Sequence, residues 1–438
     1  MLIFLCAIFV LSGAAGLVYE SIWARYLGLF VGHGAYAQTL VLVIFLGGMS
    51  VGALAVSRRA SQMRDPLRWY ALVELAVGVI GLLFHDVFVW ITRLSYDVFF
   101  PALGPGISHT IAKWAIAAIL ILPQSVLLGA TFPLMSAGAV RRVREGAGRS
   151  IALLYFANSL GAATGVLVAG FWLIGVAGLP GTLLAAAMTN LVVAAAVYLV
   201  GSSRSGDASD AAVDVHVAAA AVGSSAHSVR DDASIALRRI LLLVSFGTAV
   251  SSFIYEIGWI RMLSLVLGSA THSFELMLSA FIFGLSVGAF VVRRRSDGDA
   301  LSLRTLGWVQ LAMGVLAVAT LPVYVRSFEW MAIAMAAFAK TNTGYDAFAV
   351  ARYGICLAVM LPATICAGMT LPLITRLLMR GPDGERAIGE VYGANTLGSI
   401  VGVVLAALVL MPLLGLKWLL VAGASVDVAL GALLLLRG

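Results

Sequence analysis

Long apolar stretches recur along this chain of 438 residues, and only short segments with charges, glycine or proline separate them. Hydrophobic residues make up 61% of the sequence and charged residues only 11%, whereas soluble proteins carry about 25% charged residues. So few charges cannot cover the surface of a soluble domain of this size. Because an α-helix satisfies its backbone hydrogen bonds within its own segment, the composition predicts an all-α protein that crosses the lipid bilayer several times.

Twelve apolar runs are long enough to cross the hydrocarbon core, which takes about 20 residues of helix. Six lie near residues 2–31, 36–56, 67–92, 110–137, 150–176 and 181–201, and six more lie near 239–268, 273–292, 304–325, 346–379, 387–412 and 416–436. The segment between the two sets is rich in Ser, Ala, Asp and Arg, which is typical of a flexible linker. We therefore expect a first six-helix membrane repeat at 1–201, a linker at 202–238 and a second six-helix repeat at 239–438.

Basic residues concentrate in alternate loops. The segments 57–68, 137–150, 202–239, 293–304 and 376–386, together with Arg437, hold 20 of the 28 Lys and Arg residues. With twelve spans these segments share one side of the membrane, and basic loops of this kind face the cytoplasm. Both termini and the linker are therefore predicted to be cytoplasmic. The net charge of +7 is spread over these loops without basic runs interleaved with aromatics, so nucleic acid is not an expected partner.

The two sets of spans are related by an internal repeat. Each half has an even number of spans, so the halves run parallel, an arrangement that places a transporter's substrate between them near the bilayer midplane. At a spacing of 236 residues Tyr19, Glu20, Trp23 and Arg25 recur as Tyr255, Glu256, Trp259 and Arg261, and at 237 Asn158 recurs as Asn395.

Three motifs of the first half occur again in the second. They are YESIWAR at 19–25, GATFPL at 129–134 and YFANSLG at 155–161. Together they resemble the membrane domain of spermidine synthase-like membrane proteins, the bacterial chains often described as fused major-facilitator/spermidine synthase. The resemblance implies a major-facilitator-like fold in a bacterial inner membrane, and a connection to polyamines.

Members of that family usually continue into a cytoplasmic aminopropyltransferase-like domain. This sequence has no Gly-x-Gly-x-Gly motif in a strand–turn–helix context, and its segments between spans are too short for a Rossmann-like sheet. We therefore expect no aminopropyl transfer by this chain alone. The resemblance suggests an aminopropyltransferase-like domain or neighbouring protein as a partner.

Glu20 and Glu256 are the leading candidates for a binding site, because a carboxylate within an apolar span is costly and usually faces the bundle interior. The Trp three residues further on lies on the same helix face, and a carboxylate beside an aromatic ring suits an ammonium group. We hypothesise a site for a small organic cation, with a polyamine favoured by the resemblance. Its residues are Glu20, Glu256, Trp23, Trp259, Tyr19, Tyr255, Arg25, Arg261, Asn158 and Asn395.

Structural interpretations of the same residues stay open. The two glutamates fit ion pairs with Arg25 and Arg261, which in the binding hypothesis tune the carboxylate charge instead. The two asparagines lie in Gly-x-x-x-Gly helices, which is typical of close packing with an interhelical hydrogen bond. At the level of the whole chain, a membrane anchor of a polyamine aminopropyltransferase and a structural scaffold are the alternatives to a transporter-like module.

Other polar and proline positions within the spans carry weaker expectations. Glu74 and Asp427 have the uncharged repeat mates Gln310 and Asn190, which favours hydrogen bonding between helices. The cysteines and histidines lack metal-ligand spacing and no nucleotide-binding loop occurs, so neither a metal nor a cofactor is expected. Breaks or kinks in the fourth and tenth spans are predicted at Pro123, Pro133, Pro362 and Pro372.

Overall fold

The computed structural model of the chain describes residues 1–32, 34–57, 59, 63–104, 106–142, 147–202, 227–268, 273–294, 302–338, 341–378 and 384–437. Throughout these ranges the regular structure is helical, without a β-strand. The long helices are α1 (Leu2–Val31), α2 (Gly34–Ser57), α3 (Pro66–Leu94), α4 (Ile107–Arg142), α5 (Ala147–Val168), α6 (Ile174–Ser202), α7 (His227–Leu267), α8 (Ser273–Arg294), α9 (Leu303–Ala337), α10 (Asn342–Leu378), α11 (Gly384–Val404) and α12 (Met411–Arg437).

Ten stretches within the described residues are long and apolar enough to cross a membrane. Two of them, Ser150–Val200 and Glu390–Arg437, are 51 and 48 residues long, about twice the 20 residues of one crossing. Each is interrupted by a glycine with left-handed backbone, Gly178 at φ 68° and Gly415 at φ 74°, a conformation that glycine adopts without steric cost. Each stretch therefore holds two crossings, and the described part of the chain crosses the membrane twelve times.

The two halves repeat the same helix pairings. In the first half α1 packs on α5, α2 on α4 and α3 on α6, and in the second half α7 packs on α11, α8 on α10 and α9 on α12. The halves meet where α2 packs on α11 and where α5 packs on α8. This arrangement confirms the predicted fold class of two parallel six-helix repeats.

Close helix packing at glycine is also repeated between the halves. A Cβ atom at Gly165 of α5 would lie 2.6 Å from the carbonyl oxygen of Ala14 of α1. At the repeat-related place, a Cβ atom at Gly402 of α11 would lie 2.6 Å from the carbonyl oxygen of Val250 of α7. Both distances are shorter than any normal contact, so only glycine allows these backbones to approach as they do.

The face of the bundle at which α1 begins and α12 ends is called the terminal face below. Near it, Phe132 of α4 stacks on Tyr392 of α11, with ring centroids 4.8 Å apart and planes inclined by 11°. The edge of Tyr155 of α5 contacts the same Phe132 ring at 6.1 Å. Aromatic side chains of both halves therefore pack together close to the terminal face.

Of the breaks or kinks predicted at four prolines, the breaks are not observed, and kinks there stay a prediction. α4 and α10 each continue as one helix past both of their prolines. A proline removes only one backbone hydrogen bond from a helix, and neighbouring helices can satisfy the freed carbonyl group in a membrane bundle. The affected residues are Pro123, Pro133, Pro362 and Pro372.

Most of the predicted linker, residues 203–226, lies outside the described residues. Helix α7 begins at His227, inside the segment that the sequence analysis assigns to the linker. The boundaries 1–201, 202–238 and 239–438 remain predictions.

Candidate functional site

Glu20 of α1 and Glu256 of α7 occupy repeat-related positions in the two halves. Both side chains are buried, with exposed fractions of 4% and 2%. Within the described part of the chain, neither carboxyl group has a hydrogen-bond or ion-pair partner. The structure thus buries one such carboxyl group in each half, without the compensation that buried carboxyl groups normally have.

The arginine five residues after each glutamate is placed differently in the two halves. Arg25 forms an ion pair with Glu275 in the first turn of α8, and Ser21 donates a hydrogen bond of 3.4 Å to the same carboxyl group. Arg261 is half-buried, and its guanidinium group contacts no hydrogen-bond acceptor among the described residues. Neither arginine forms an ion pair with Glu20 or Glu256, so the alternative of ion pairs between these residues is not observed.

Sequence reasoning missed Glu275. The available signal was a carboxylate in the first turn of an apolar span whose repeat mate is the uncharged Thr39. Its partner in the other half depends on how the halves pack, and no spacing within the sequence predicts that contact.

The aromatic residues of the candidate site lie inside the two half-bundles. Tyr19 and Trp23 stack with ring centroids 5.7 Å apart, and Tyr255 and Trp259 stack at 5.4 Å. All four are almost completely buried. The indole nitrogen of Trp259 donates to the Thr320 hydroxyl group at 3.1 Å. These stacks hold the segments of α1 and α7 that carry Glu20 and Glu256.

The two tyrosine hydroxyl groups lead to further buried polar side chains. Tyr19 donates to the side-chain oxygen of Asn190 at 3.1 Å, and the Asn190 amide nitrogen donates to Glu74 at 2.5 Å. In the second half Tyr255 donates directly to Asp427 at 2.6 Å. The sequence analysis singled out Glu74 and Asp427 separately, whereas the structure connects each of them to the tyrosine beside a candidate carboxyl group.

Asn158 and Asn395 are half-buried on α5 and α11. A Cβ atom at Gly13 of α1 would lie 2.8 Å from the Asn158 side-chain oxygen, so Asn158 packs on α1. Neither asparagine side chain hydrogen-bonds to a described residue. Close packing is therefore observed at Asn158, and the interhelical amide hydrogen bond is not.

Residues that could bind a metal ion together are not found in the described ranges, where no group of three or more His, Cys, Asp or Glu side chains converges. The three cysteines, Cys6, Cys356 and Cys366, form no disulfide bond. The groups that the candidate site offers to a ligand are thus the buried carboxyl groups of Glu20 and Glu256.

The fold and the apolar helices define a multi-pass α-helical membrane protein whose fold is similar to that of major facilitator transporters. Three solved structures share this fold over 98–99% of both chains compared. A bacterial homologue of the iron transporter ferroportin has a TM-score of 0.62 at 12% sequence identity. The major facilitator superfamily transporter FucP, in the outward conformation, has a TM-score of 0.56 at 13% identity. The human organic anion transporter MFSD10 has a TM-score of 0.56 at 12% identity.

Two curated proteins of Streptomyces coelicolor are similar in sequence to part of the chain. Polyamine aminopropyltransferase 1 is 24% identical over 195 residues, which is 44% of this chain and 33% of that protein. Polyamine aminopropyltransferase 2 is 24% identical over 205 residues, which is 46% of this chain and 34% of that protein. The chain thus spans about a third of the length of the curated relatives it matches. No protein-family model matches the sequence.

Proposed function

We propose that this chain is a transporter-like module of a bacterial inner membrane that binds or moves a small organic cation, most favourably a polyamine. The observation that carries the proposal is the pair of buried carboxyl groups of Glu20 and Glu256, which lack partners in the described part of the chain. An ion buried in an apolar bundle is stabilised by an opposite charge at close range. A ligand with ammonium groups supplies that charge.

A ligand with two ammonium groups matches the arrangement better than one with a single group. Each half supplies one carboxyl group without a partner among the described residues, and a ligand with two ammonium groups can place one cation at each. In this proposal Trp23, Trp259, Tyr19 and Tyr255 flank the carboxyl groups as aromatic neighbours. Arg25 and Arg261 modulate the negative charge, and Asn158 and Asn395 add amide groups on the adjacent helices.

Two observations support a polyamine over other amines. The two curated relatives are both called polyamine aminopropyltransferases. The motifs at 19–25, 129–134 and 155–161 resemble membrane domains of spermidine synthase-like proteins. The proposed orientation has both termini and the linker in the cytoplasm, because 20 of the 28 basic residues lie in the loops on that side.

Calorimetric titration of the purified chain with spermidine tests the proposal. Removing one member of a buried charge pair costs about 2 kcal/mol or more, which is a loss of about 30-fold in affinity. We expect a loss of that size in Glu20→Gln and in Glu256→Gln, and no measurable binding in the double variant. Glu390→Gln is the matched control, because that carboxylate is paired with Arg238 at 2.6 Å and its loss should leave binding unchanged.

Three results would contradict the proposal. Unchanged affinity in the double variant would remove Glu20 and Glu256 from the site. Equal binding of 1,8-octanediol, which has two hydroxyl groups and no ammonium groups, would show that charge is not recognised. If the wild-type chain binds no spermidine, the structural scaffold becomes the better interpretation.

The likeness to aminopropyltransferases favours a second candidate function. In it the chain is the membrane anchor of such an enzyme, and the catalytic domain is outside this sequence. The purified chain is then expected to produce no spermidine from putrescine and decarboxylated S-adenosylmethionine. Turnover would show instead that the chain itself holds the catalytic groups.

A further inference from the structure

Besides Glu20, Glu256 and the ion-paired Glu275, the described residues include one more buried carboxyl group in each half, and the two halves supply it from different helices. In the first half it is Glu74 of α3, whose repeat mate in α9 is Gln310. In the second half it is Asp427 of α12, whose repeat mate in α6 is Asn190. Each half therefore has one acid and one amide at the same two positions, in exchanged order. The exposed fraction of all four side chains is 0%.

Both carboxyl groups are held by uncharged donors. Glu74 accepts from the Ser12 hydroxyl group and from the Asn190 amide nitrogen, each at 2.5 Å. Asp427 accepts from the hydroxyl groups of Ser251 and Tyr255, each at 2.6 Å. Neither carboxyl group forms an ion pair with a basic side chain in the described ranges.

The titratable side chains that surround the two acids are tyrosines and a cysteine, and none of them can carry a positive charge. Tyr70 of the same helix and Tyr19 of α1 lie in the electrostatic range of Glu74. Tyr255 of α7 and Cys366 of α10 lie in the electrostatic range of Asp427. Among the described residues, no basic side chain is paired with either carboxyl group. A carboxyl group with these surroundings inside a membrane protein is suited to binding and releasing a proton.

Packing alone does not explain why an acid is present in each half. Two amides at these positions would provide hydrogen-bonding groups without the cost of burying a charge. The repeat has instead one acid per half, although the helix that supplies it changes. The feature common to both halves is thus a carboxyl group hydrogen-bonded to hydroxyl or amide donors at the junction of the first, third and sixth helix.

We propose that Glu74 and Asp427 are two proton-binding sites, one in each half. Each carboxylate takes up one proton from water to become a carboxylic acid and returns that proton to water on release. The chemistry needs no further reactant, and the uptake neutralises one negative charge in each half.

The same hydrogen bonds connect these proton sites to Tyr19 and Tyr255, the residues next to the candidate carboxyl groups, and a link to cation binding rests on the proposed function. A protonated Asp427 can donate to the Tyr255 oxygen, which frees the tyrosine hydrogen for another acceptor. In the first half the same reversal needs a rotation of the Asn190 amide group. A protonated Glu74 then donates to the Asn190 oxygen, and the Asn190 nitrogen donates to the Tyr19 oxygen. Since Tyr19 and Tyr255 directly precede Glu20 and Glu256, proton binding and cation binding act on the same segments of α1 and α7.

Infrared difference spectroscopy of the purified chain during a pH titration tests the proposal without any ligand. The readout is the carbonyl stretching band of protonated carboxylic acids. The titration is made in the Glu20→Gln/Glu256→Gln background, so that the candidate cation site does not contribute. We expect Glu74→Gln and Asp427→Asn each to remove about one of two buried-acid components, and the combination to remove both. Glu390→Gln, which alters an ion-paired carboxylate, should leave the buried components unchanged.

An exchange variant separates a proton-binding role from a packing role. The double substitution Glu74→Gln/Asn190→Asp gives the first half the arrangement of the second half, with the amide on the third helix and the acid on the sixth. It should restore the infrared band that Glu74→Gln removes. An unchanged band in Glu74→Gln and Asp427→Asn overturns the proposal. It is also overturned if the single variants do not fold and the exchange variant folds without the band. If the wild-type chain binds no spermidine while the two buried-acid components titrate, the proposed function is contradicted and the proton sites remain supported.

Discussion

Arg25 of α1 and Glu275 of α8 form an ion pair between the two halves, close to the face of the bundle opposite the terminal face. Glu275 is almost completely buried, with 2% of its side chain exposed, whereas 19% of the Arg25 side chain is exposed. The repeat mates Arg261 and Thr39 cannot form an equivalent pair, because threonine carries no charge. The molecule is therefore asymmetric at this contact, although its helix pairings are repeated.

Neutralising one member of this pair should destabilise the protein more than neutralising both. Glu275→Gln leaves the Arg25 guanidinium group without its carboxylate, and breaking a buried pair in this way costs about 3 kcal/mol. The double variant Arg25→Gln/Glu275→Gln leaves no uncompensated charge, so its loss should be smaller than that of either single variant. Unfolding in mixtures of detergent and SDS measures the free energies. Additive losses would show that the two side chains do not act as a pair.

The glycine contacts between α1 and α5 and between α7 and α11 should be equally sensitive to substitution. In Gly165→Ala and Gly402→Ala the new methyl group would meet a carbonyl oxygen at 2.6 Å, and overpacking of this kind costs about 1–3 kcal/mol. Gly354→Ala in α10 is the control, since a Cβ atom there has no neighbour within 4 Å. Thermal unfolding of the three variants gives the comparison. A stability of Gly165→Ala equal to that of Gly354→Ala would contradict the close approach of these helices.

The fold could be predicted from the sequence because it depends on features that are local or that repeat along the chain. Apolar runs predict the spans, and the spacing of 236 residues predicts that the halves are alike. The observed helix pairings agree with both expectations. Even the breaks follow the repeat, since Gly178 and Gly415 interrupt equivalent helices.

The polar contacts of the site could not be predicted in this way, because they join residues that are far apart in the sequence and meet only when the helices pack. The Ser12–Glu74 hydrogen bond connects residues 62 positions apart, and the Tyr19–Asn190 hydrogen bond connects residues 171 positions apart. The pair of Arg25 and Glu275 spans 250 positions. The partner that a polar residue meets depends on how each helix is rotated in the bundle, and long apolar runs do not specify that rotation.

Orientation in the membrane is the next prediction. Green fluorescent protein fused after Gly438 should fluoresce and alkaline phosphatase fused there should be inactive, because both termini are expected in the cytoplasm. Alkaline phosphatase fused after Leu103, in a loop on the opposite side, should be active. An active phosphatase after Gly438 together with an inactive one after Leu103 would invert the topology.

Tyr255 should contribute more to stability than its repeat mate Tyr19. Tyr255 donates to a carboxyl group at 2.6 Å, whereas Tyr19 donates to an amide oxygen at 3.1 Å. Hydrogen bonds to ionisable acceptors are the stronger class, so we expect losses of about 2 kcal/mol in Tyr255→Phe and about 1 kcal/mol in Tyr19→Phe. Unfolding free energies in detergent measure both. In an Asp427→Asn background, Tyr255→Phe should lower the free energy of unfolding by less. An unchanged loss would show that it comes from packing of the tyrosine ring and not from the hydrogen bond.

The stack of Phe132 on Tyr392 should couple the two halves near the terminal face. Phe132 is buried, and truncating a buried phenylalanine to alanine costs about 3–5 kcal/mol. Part of that cost belongs to the ring pair itself, for which a double-mutant cycle should give about 0.5–1.5 kcal/mol. Tyr392→Ala, Phe132→Ala and the double variant supply the cycle when their unfolding is compared with that of the wild type. Phe9→Ala with Tyr392→Ala is the control cycle, because the Phe9 ring contacts Tyr70 and Phe132 within the first half. A coupling energy of zero between Phe132 and Tyr392 would show that these rings do not hold the halves together.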